Sequence, residues 1–137
     1  MTFGQLKVFM KKVRWGVLAT SDGRRVGVRP MGAWVWVGRE LWCGAERGQE
    51  KIAQLAKVPF AEYCFSNSDG EHVRIAGSCR VSARPSDKAL LFDRVRSLHK
   101  FYETADDKAL LVLRMKPSKI RHFSRKTYAY TNIKIGS

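Results

Sequence analysis

Between Trp15 and Ala45 the chain offers three strand-like apolar runs, the first two closed by tight-turn signals. Trp15 to Thr20 ends in Ser21-Asp22-Gly23. Arg25 to Val37, rich in valine and tryptophan, ends in Gly38-Arg39. Glu40 to Ala45 then completes the set. Such runs joined by short turns specify antiparallel strands, because a parallel crossover needs a dozen or more connecting residues. The segment reads as a three-stranded meander, and the rest of the chain must close around it.

The remaining pattern mixes more strands with a few helices. Phe3, Leu6, Phe9, Met10 and Val13 recur three to four apart, which predicts an amphipathic helix over residues 1–14. Gly48 to Val58 carries an Ile52, Leu55 and Ala56 stripe and must stop before Pro59. Phe60 to Ser66 and His72 to Ala83 read as strands around a polar hairpin loop, with Gly77 inside the second. Pro85-Ser86-Asp87 opens a third helix with Ser86 as its N-cap, and Leu98 to Tyr102 continues it or forms a short helix. Ala109 to Met115 is a sixth strand broken at Pro117, which Ile120 to Phe123 could extend. Thr127 to Ile135 is a further strand or an ordered arm. Sequential antiparallel strands with flanking helices predict a mainly β protein, a closed or nearly closed barrel of about six strands.

The 137 residues, 45% apolar, suit a single domain spanning 1–137, ending in a basic tail from residue 124. No apolar run reaches the roughly 20 residues of a membrane span, and the amino terminus lacks the pattern of a signal peptide. A cytoplasmic protein with no membrane partner is expected. Cys43, Cys64 and Cys79 are odd in number and unpaired in spacing, so they read as buried or half-buried thiols. His72, His99 and His122 show no metal-ligand spacing, so no metal site is expected. The formal charge is +14, and no Asp or Glu follows Asp107. That surface attracts anions, phosphorylated cofactors among them. No nucleic-acid recognition motif accompanies it, so nucleic acid is not expected as the partner.

Two segments hold candidate binding residues. In Val28-Arg29-Pro30-Met31-Gly32, Pro30 cannot donate to a ladder, so the stretch is an edge, a bulge or a strand end. Gly32 permits close approach to the backbone, and Arg29 supplies a fork suited to phosphate or a polar ring edge. A bulged strand with a surface arginine explains the same residues. In Cys43-Gly44-Ala45-Glu46-Arg47-Gly48-Gln49-Glu50-Lys51, a strand and a glycine-bearing loop lead into a helix start that carries Lys51. Free backbone N–H groups there favour an anion, although a solvated helix lysine fits equally. As neighbours in one meander, the two segments could reach one cleft.

In order and spacing, Trp15–Thr20, Val28–Met31, Leu41–Ala45, Lys51–Leu55 with Pro59, and Val73–Gly77 together resemble the pyridoxamine 5′-phosphate oxidase-like FMN-binding split β-barrels. The resemblance runs from Trp15 to Phe123. It implies a homodimer with FMN at the interface. The flavin ring would lie near Arg29, Pro30, Met31 and Gly32. Its phosphate would lie near Gly44, Ala45, Glu50 and Lys51, and His72 of the partner subunit would approach the ring. The implied function is that of a flavin-dependent oxidoreductase acting on a small-molecule substrate. Alternatives within the same fold are a non-catalytic flavin or other ligand-binding or sensing module, a deazaflavin-dependent reductase and a haem binder. The chain departs from the oxidases proper in three places: Ala45 replaces a threonine, Glu50 an arginine and Trp34 a lysine. Their arginine- and histidine-bearing carboxy-terminal motif is also missing. Pyridoxamine phosphate oxidation itself is therefore not expected. A carboxylate beside a phosphate is unfavourable, so either Glu50 turns outward or FMN is not the ligand.

Overall fold

The structure, a computed structural model, describes residues 1–135. Helix α1 (Phe3–Val13) comes first, followed by β1 (Gly16–Ser21), β2 (Val26–Met31), β3 (Trp34–Val37) and β4 (Glu40–Glu46). Then come α2 (Glu50–Lys57), β5 (Phe60–Ser66), β6 (His72–Ser82) and α3 (Pro85–Arg94). A 3₁₀ turn over Arg96–Lys100 leads into β7 (Leu110–Ser124) and β8 (Ala129–Asn132). All strand pairings are antiparallel, in the order β2-β1-β5-β6-β7-β4-β3, with β8 on the far half of β7.

This order corrects the meander. Arg25–Val37 is two strands, and they occupy opposite ends of the sheet path. Strand β2 pairs only with β1, Pro30 facing Val17, so the missing N–H falls on an edge where no ladder needs it. Strand β3 pairs with β4, Trp34 facing Cys43. Residues 32 and 33 link the two edges, and the Gly44 N–H donates to the Ala33 carbonyl at 3.0 Å. The sheet therefore curls until its first and last strands nearly meet, leaving a split. An alternating apolar pattern shows that residues are strand-like but carries no record of which strand lies alongside.

Three further expectations change. The N-cap of α3 is Arg84, with Pro85 in the first turn, where its lack of an N–H costs nothing. Pro117 does not break β7. It sits at a bulge where the register with β6 shifts beside Ala76 and Gly77, and the strand continues to Ser124. With β2 and β3 separate and Ala129–Asn132 forming β8, the strands number eight among the described residues. The basic tail thus begins in β7 and contains β8, and Gly136 and Ser137 lie outside the described residues.

The barrel interior is one cluster that includes Leu18, Leu41, Tyr63, Phe65, Ile75 and Met115, with Leu6 and Met10 of α1 buried in it. Thr2 and Gln5 form a reciprocal capping box at the start of α1, an arrangement in which the N-cap typically contributes about 0.5–2 kcal/mol. A second cluster lies outside the barrel, where Leu91, Val95, Leu98 and Tyr102 cover Trp42, Leu110 and Val112. Strand β4 is buried on both faces, which explains its unbroken apolar run. Cys43 and Cys79 are buried and Cys64 is half-buried. No described helix is long and apolar enough to cross a membrane.

Candidate functional site

The split between the two sheet edges opens into a cleft of about 540 Å³, within the range of about 300–1,000 Å³ usual for small-molecule sites. Pro30, Met31 and Gly32 come to it from the end of β2. Gly44 and Ala45 come from β4, and Lys51 from the first turn of α2. The opposite wall is Leu98, Phe101 and Tyr102, in and after the 3₁₀ turn. Leu98 closes in on Gly44, where a Cβ would fall 2.8 Å from Leu98 Cδ2. Trp15 and Phe101 border the cleft and are largely exposed, 62% and 77%. Two uncovered aromatic faces beside one opening suit a flat ligand.

Lys51 is the electrostatic centre of this cleft. It is 6% exposed, its Nζ donates to the Gln49 side-chain carbonyl, and no carboxylate lies within ion-pair reach of it among the described residues. Burial lowers its pKa from the ordinary 10.5, the Cys43 sulfur opposes that shift, Arg29 adds to it, and the Glu46 carboxylate, which also lines the cleft, opposes it. Gln49 also accepts from the Glu46 N–H at 2.9 Å, which fixes the loop at the start of α2. Cys43 is no nucleophile. Burial raises its thiol pKa to about 11 although Tyr63 hydrogen-bonds it at 2.9 Å.

Arg29 and Glu50 do not line the cleft. They pair with each other at 3.1 Å, and Arg29 also donates to Thr20 Oγ1 at 2.7 Å. The Glu50 side chain is mostly exposed, so its carboxylate is turned away from Lys51 and occupied by the arginine. His72 lies apart from the cleft, with Nδ1 facing the Gly70 carbonyl at 2.8 Å and Nε2 the Tyr130 hydroxyl at 2.7 Å. The carbonyl can only accept, so Nδ1 carries a proton toward it. Among the described residues no group of three or more His, Cys, Asp or Glu side chains is placed to hold a metal ion.

Sequence reasoning missed Arg14, Gln49, Leu98, Phe101 and Tyr102. Gln49 carried a signal, since it directly precedes the first turn of α2. The 98–102 segment had only an apolar spacing, which does not say what surface it covers.

No family model matches the sequence. No curated protein matches it significantly either. Solved structures do. A NimC/NimA family protein from Clostridium acetobutylicum superposes with a TM-score of 0.82 at 25% identity, over 94% of this chain and 89% of that one. The fold is that of the pyridoxamine 5′-phosphate oxidase-like split barrels. A C. acetobutylicum protein related to general stress protein 26, of the pyridoxinephosphate oxidase family, matches at TM-score 0.80 and 11% identity, over 96% and 92%. A pyridoxamine 5′-phosphate oxidase-related, FMN binding protein from Nostoc punctiforme matches at 0.69 and 14%, over 95% and 94%. This split barrel therefore has the fold that the sequence resemblance implied, across nearly the whole chain.

Proposed function

We propose that the cleft binds FMN, and that the protein is a flavin-dependent oxidoreductase acting on a small molecule, with two copies of the chain sharing the site. The observation that carries this reading is Lys51, a buried ammonium whose partner is a neutral amide. A buried cation is stable only when something compensates it, and a phosphate does so with a charge-assisted hydrogen bond. Gly44 and Ala45 line the cleft beside it with no side-chain donor of their own. The missing threonine hydroxyl at Ala45 leaves Lys51 as the side chain that would hold it. Trp15, Phe101, Pro30 and Met31 present the apolar and aromatic surface that a flavin ring needs. Glu50 is neutralised by Arg29 and does not oppose the phosphate. The split barrel from N. punctiforme described as FMN binding supports the choice of flavin.

When bound, the flavin supplies the hydride and electron chemistry, and the protein has to bind, orient and shield it. Lys51 holds the phosphate end, and the Leu98–Tyr102 wall excludes water from one side. The second copy enters through the outer face of β1 and β2. Val17, Val26 and Val28 on that face are exposed at 40%, 71% and 61%, an apolar patch of the kind that marks an interface. In that arrangement the partner would bring its own His72 toward the ring.

The deciding measurement is the visible absorption spectrum of the purified protein, followed by release and identification of the chromophore. Released FMN, reduced by a nicotinamide donor with turnover on an acceptor, supports the whole reading. Bound FMN that no donor reduces would make the protein a flavin store or sensor. A deazaflavin or haem chromophore would replace the chemistry and keep the fold. Colourless protein that takes up no added FMN would overturn the cofactor assignment.

A further inference from the structure

A second opening, of about 740 Å³, adjoins the cleft and shares Arg14, Gly32 and Ser97 with it. Lys7 and Lys11 of α1, with Arg14 at its end, form one wall. Arg94 and Arg96, at the end of α3 and in the 3₁₀ turn, form the other. No Asp or Glu lines this groove. None of the five cations has a carboxylate within ion-pair reach among the described residues. Five uncompensated charges in one concavity focus a positive field that concentrates anions there.

The floor limits which anion fits. Trp34 and Trp36 are half-buried and line the groove between the basic walls. Their N–H groups are already committed, Trp34 Nε1 to the Arg14 carbonyl at 2.7 Å and Trp36 Nε1 to Met10 Sδ at 3.3 Å. The indoles thus offer ring surface and no free donor, and a ligand resting on them needs a flat, apolar body. Arg14 joins the groove to the cleft through a rare backbone form. Its φ of 73° and ψ of −57°, with Trp15 N–H donating to the Val13 carbonyl at 2.9 Å, make a strained γ-turn. Strain at a non-glycine residue persists where the surroundings over-determine it, and such positions cluster at functional sites.

We propose that this groove is the substrate site, and that the substrate is a small organic anion with an aromatic or otherwise flat body and a carboxylate or phosphate group. The assignment rests on the flavin reading of the adjoining cleft, because a groove opening onto that cleft brings a bound molecule to the cofactor's edge. The cations orient the acidic end and the tryptophans hold the ring.

Naphthoate and its uncharged amide are suitable probes, titrated calorimetrically into the full chain at low salt, with FMN uptake measured in parallel. Naphthoate should bind at least about tenfold more tightly than naphthamide and weaken as salt is added. Arg94→Gln with Arg96→Gln should cost about tenfold in naphthoate affinity, as should Lys7→Gln with Lys11→Gln. Neither pair should alter naphthamide binding or FMN uptake. Equal affinity for the two probes, or naphthoate binding unchanged in both variants, would overturn the proposal. Loss of FMN together with naphthoate would also overturn it, by assigning the cations to the cofactor. Naphthoate binding with this charge dependence in a protein that takes up no FMN would leave the anion site standing and remove only the flavin reading.

Discussion

Burying the amine of Lys51 costs free energy that its amide partner Gln49 does not return, and this asymmetry makes the residue a sensitive probe. Lys51→Met should weaken FMN binding by about tenfold or more, the scale of one charge-assisted hydrogen bond. Binding of riboflavin, which has no phosphate, should be unchanged; equal losses for both ligands would refute the phosphate role. The pH dependence has a defined sign. With its pKa held below 10.5 by burial, the ammonium loses its proton earlier than an exposed lysine would. FMN affinity should therefore fall as pH rises through the alkaline range below 10.5, and Lys51→Arg should flatten that profile, since arginine stays charged. For folding the same shift acts the other way: the charged amine destabilises the native state at neutral pH, and the penalty lifts as pH rises toward 10.5. The sequence exposed Lys51 through its place after a glycine-bearing loop. It could not show that Arg29 and Glu50, both expected at the ligand, pair with each other. That pairing joins an edge strand to a helix 21 residues later in the chain, and only the packing of α2 against β1 brings it about.

At the scale of elements, the β6–β7 bulge and the link between β4 and α3 hold the barrel to its shape. Gly77 lies where β7 shifts register, and a Cβ there would come 2.1 Å from the Lys116 carbonyl oxygen. Backbone cannot yield as a side chain end can, so Gly77→Ala should destabilise by about 2 kcal/mol or more. A lower urea midpoint with an unchanged slope would register this; an unaltered midpoint would mean that the bulge relaxes freely. On the outer side, Arg114 of β7 bonds both oxygens of Glu40, at 2.9 and 3.2 Å, and Asp87 of α3 at 3.1 Å. Its guanidinium also lies over Trp42, 4.7 Å from the ring centroid. Arg114 is the largest cause holding the Glu40 carboxyl below its ordinary 4.5. Burial would raise Asp87 above 3.8, but the Ser82 hydroxyl and Arg114 outweigh it and lower its pKa. A lowered carboxylate pKa contributes stability that is present above the ordinary value and lost as pH falls through the native one. Acid unfolding should therefore set in as pH falls below the ordinary carboxylate values of 4.5 and 3.8, where these two groups take up protons. Arg114→Met should cost about 2 kcal/mol at neutral pH, less than a fully buried pair because the network is partly solvated. It should also blunt the acid sensitivity; a full acid response in the variant would place that response elsewhere.

For the whole molecule, the outer face of β1 and β2 is the decisive surface. Val26→Lys with Val28→Lys changes exposed side chains that touch neither Lys51 nor the barrel interior. If two copies share the site, sedimentation should show dimer for the wild type and monomer for the variant, and the variant should lose FMN with its partner. A wild-type monomer that binds FMN tightly would rule out the shared site. Much of this molecule was legible in the linear order of residues. Strand β5 and the start of β6 follow from alternation, α1 from its three-to-four spacing, and the end of α2 from Pro59, because each of these signals is local. The candidate binding segments were legible too, since a proline in a strand and a glycine before a helix start are chemical marks that need no partner to be read. Strand neighbours were not. Val26–Met31 and Trp34–Val37 read as one strand, yet they became the two ends of the main sheet path, a pairing choice made by hydrogen bonds between residues far apart in sequence. The cleft exists only because those edges nearly meet, and the Leu98–Tyr102 wall covers it only because α3 packs on β4 and β7. Local propensity and apolar period were therefore determined by the sequence itself. Which residues stand around the cavity, and which charges are left there without a partner, was decided by tertiary packing, because burial and ion pairing depend on distances that no spacing along the chain encodes.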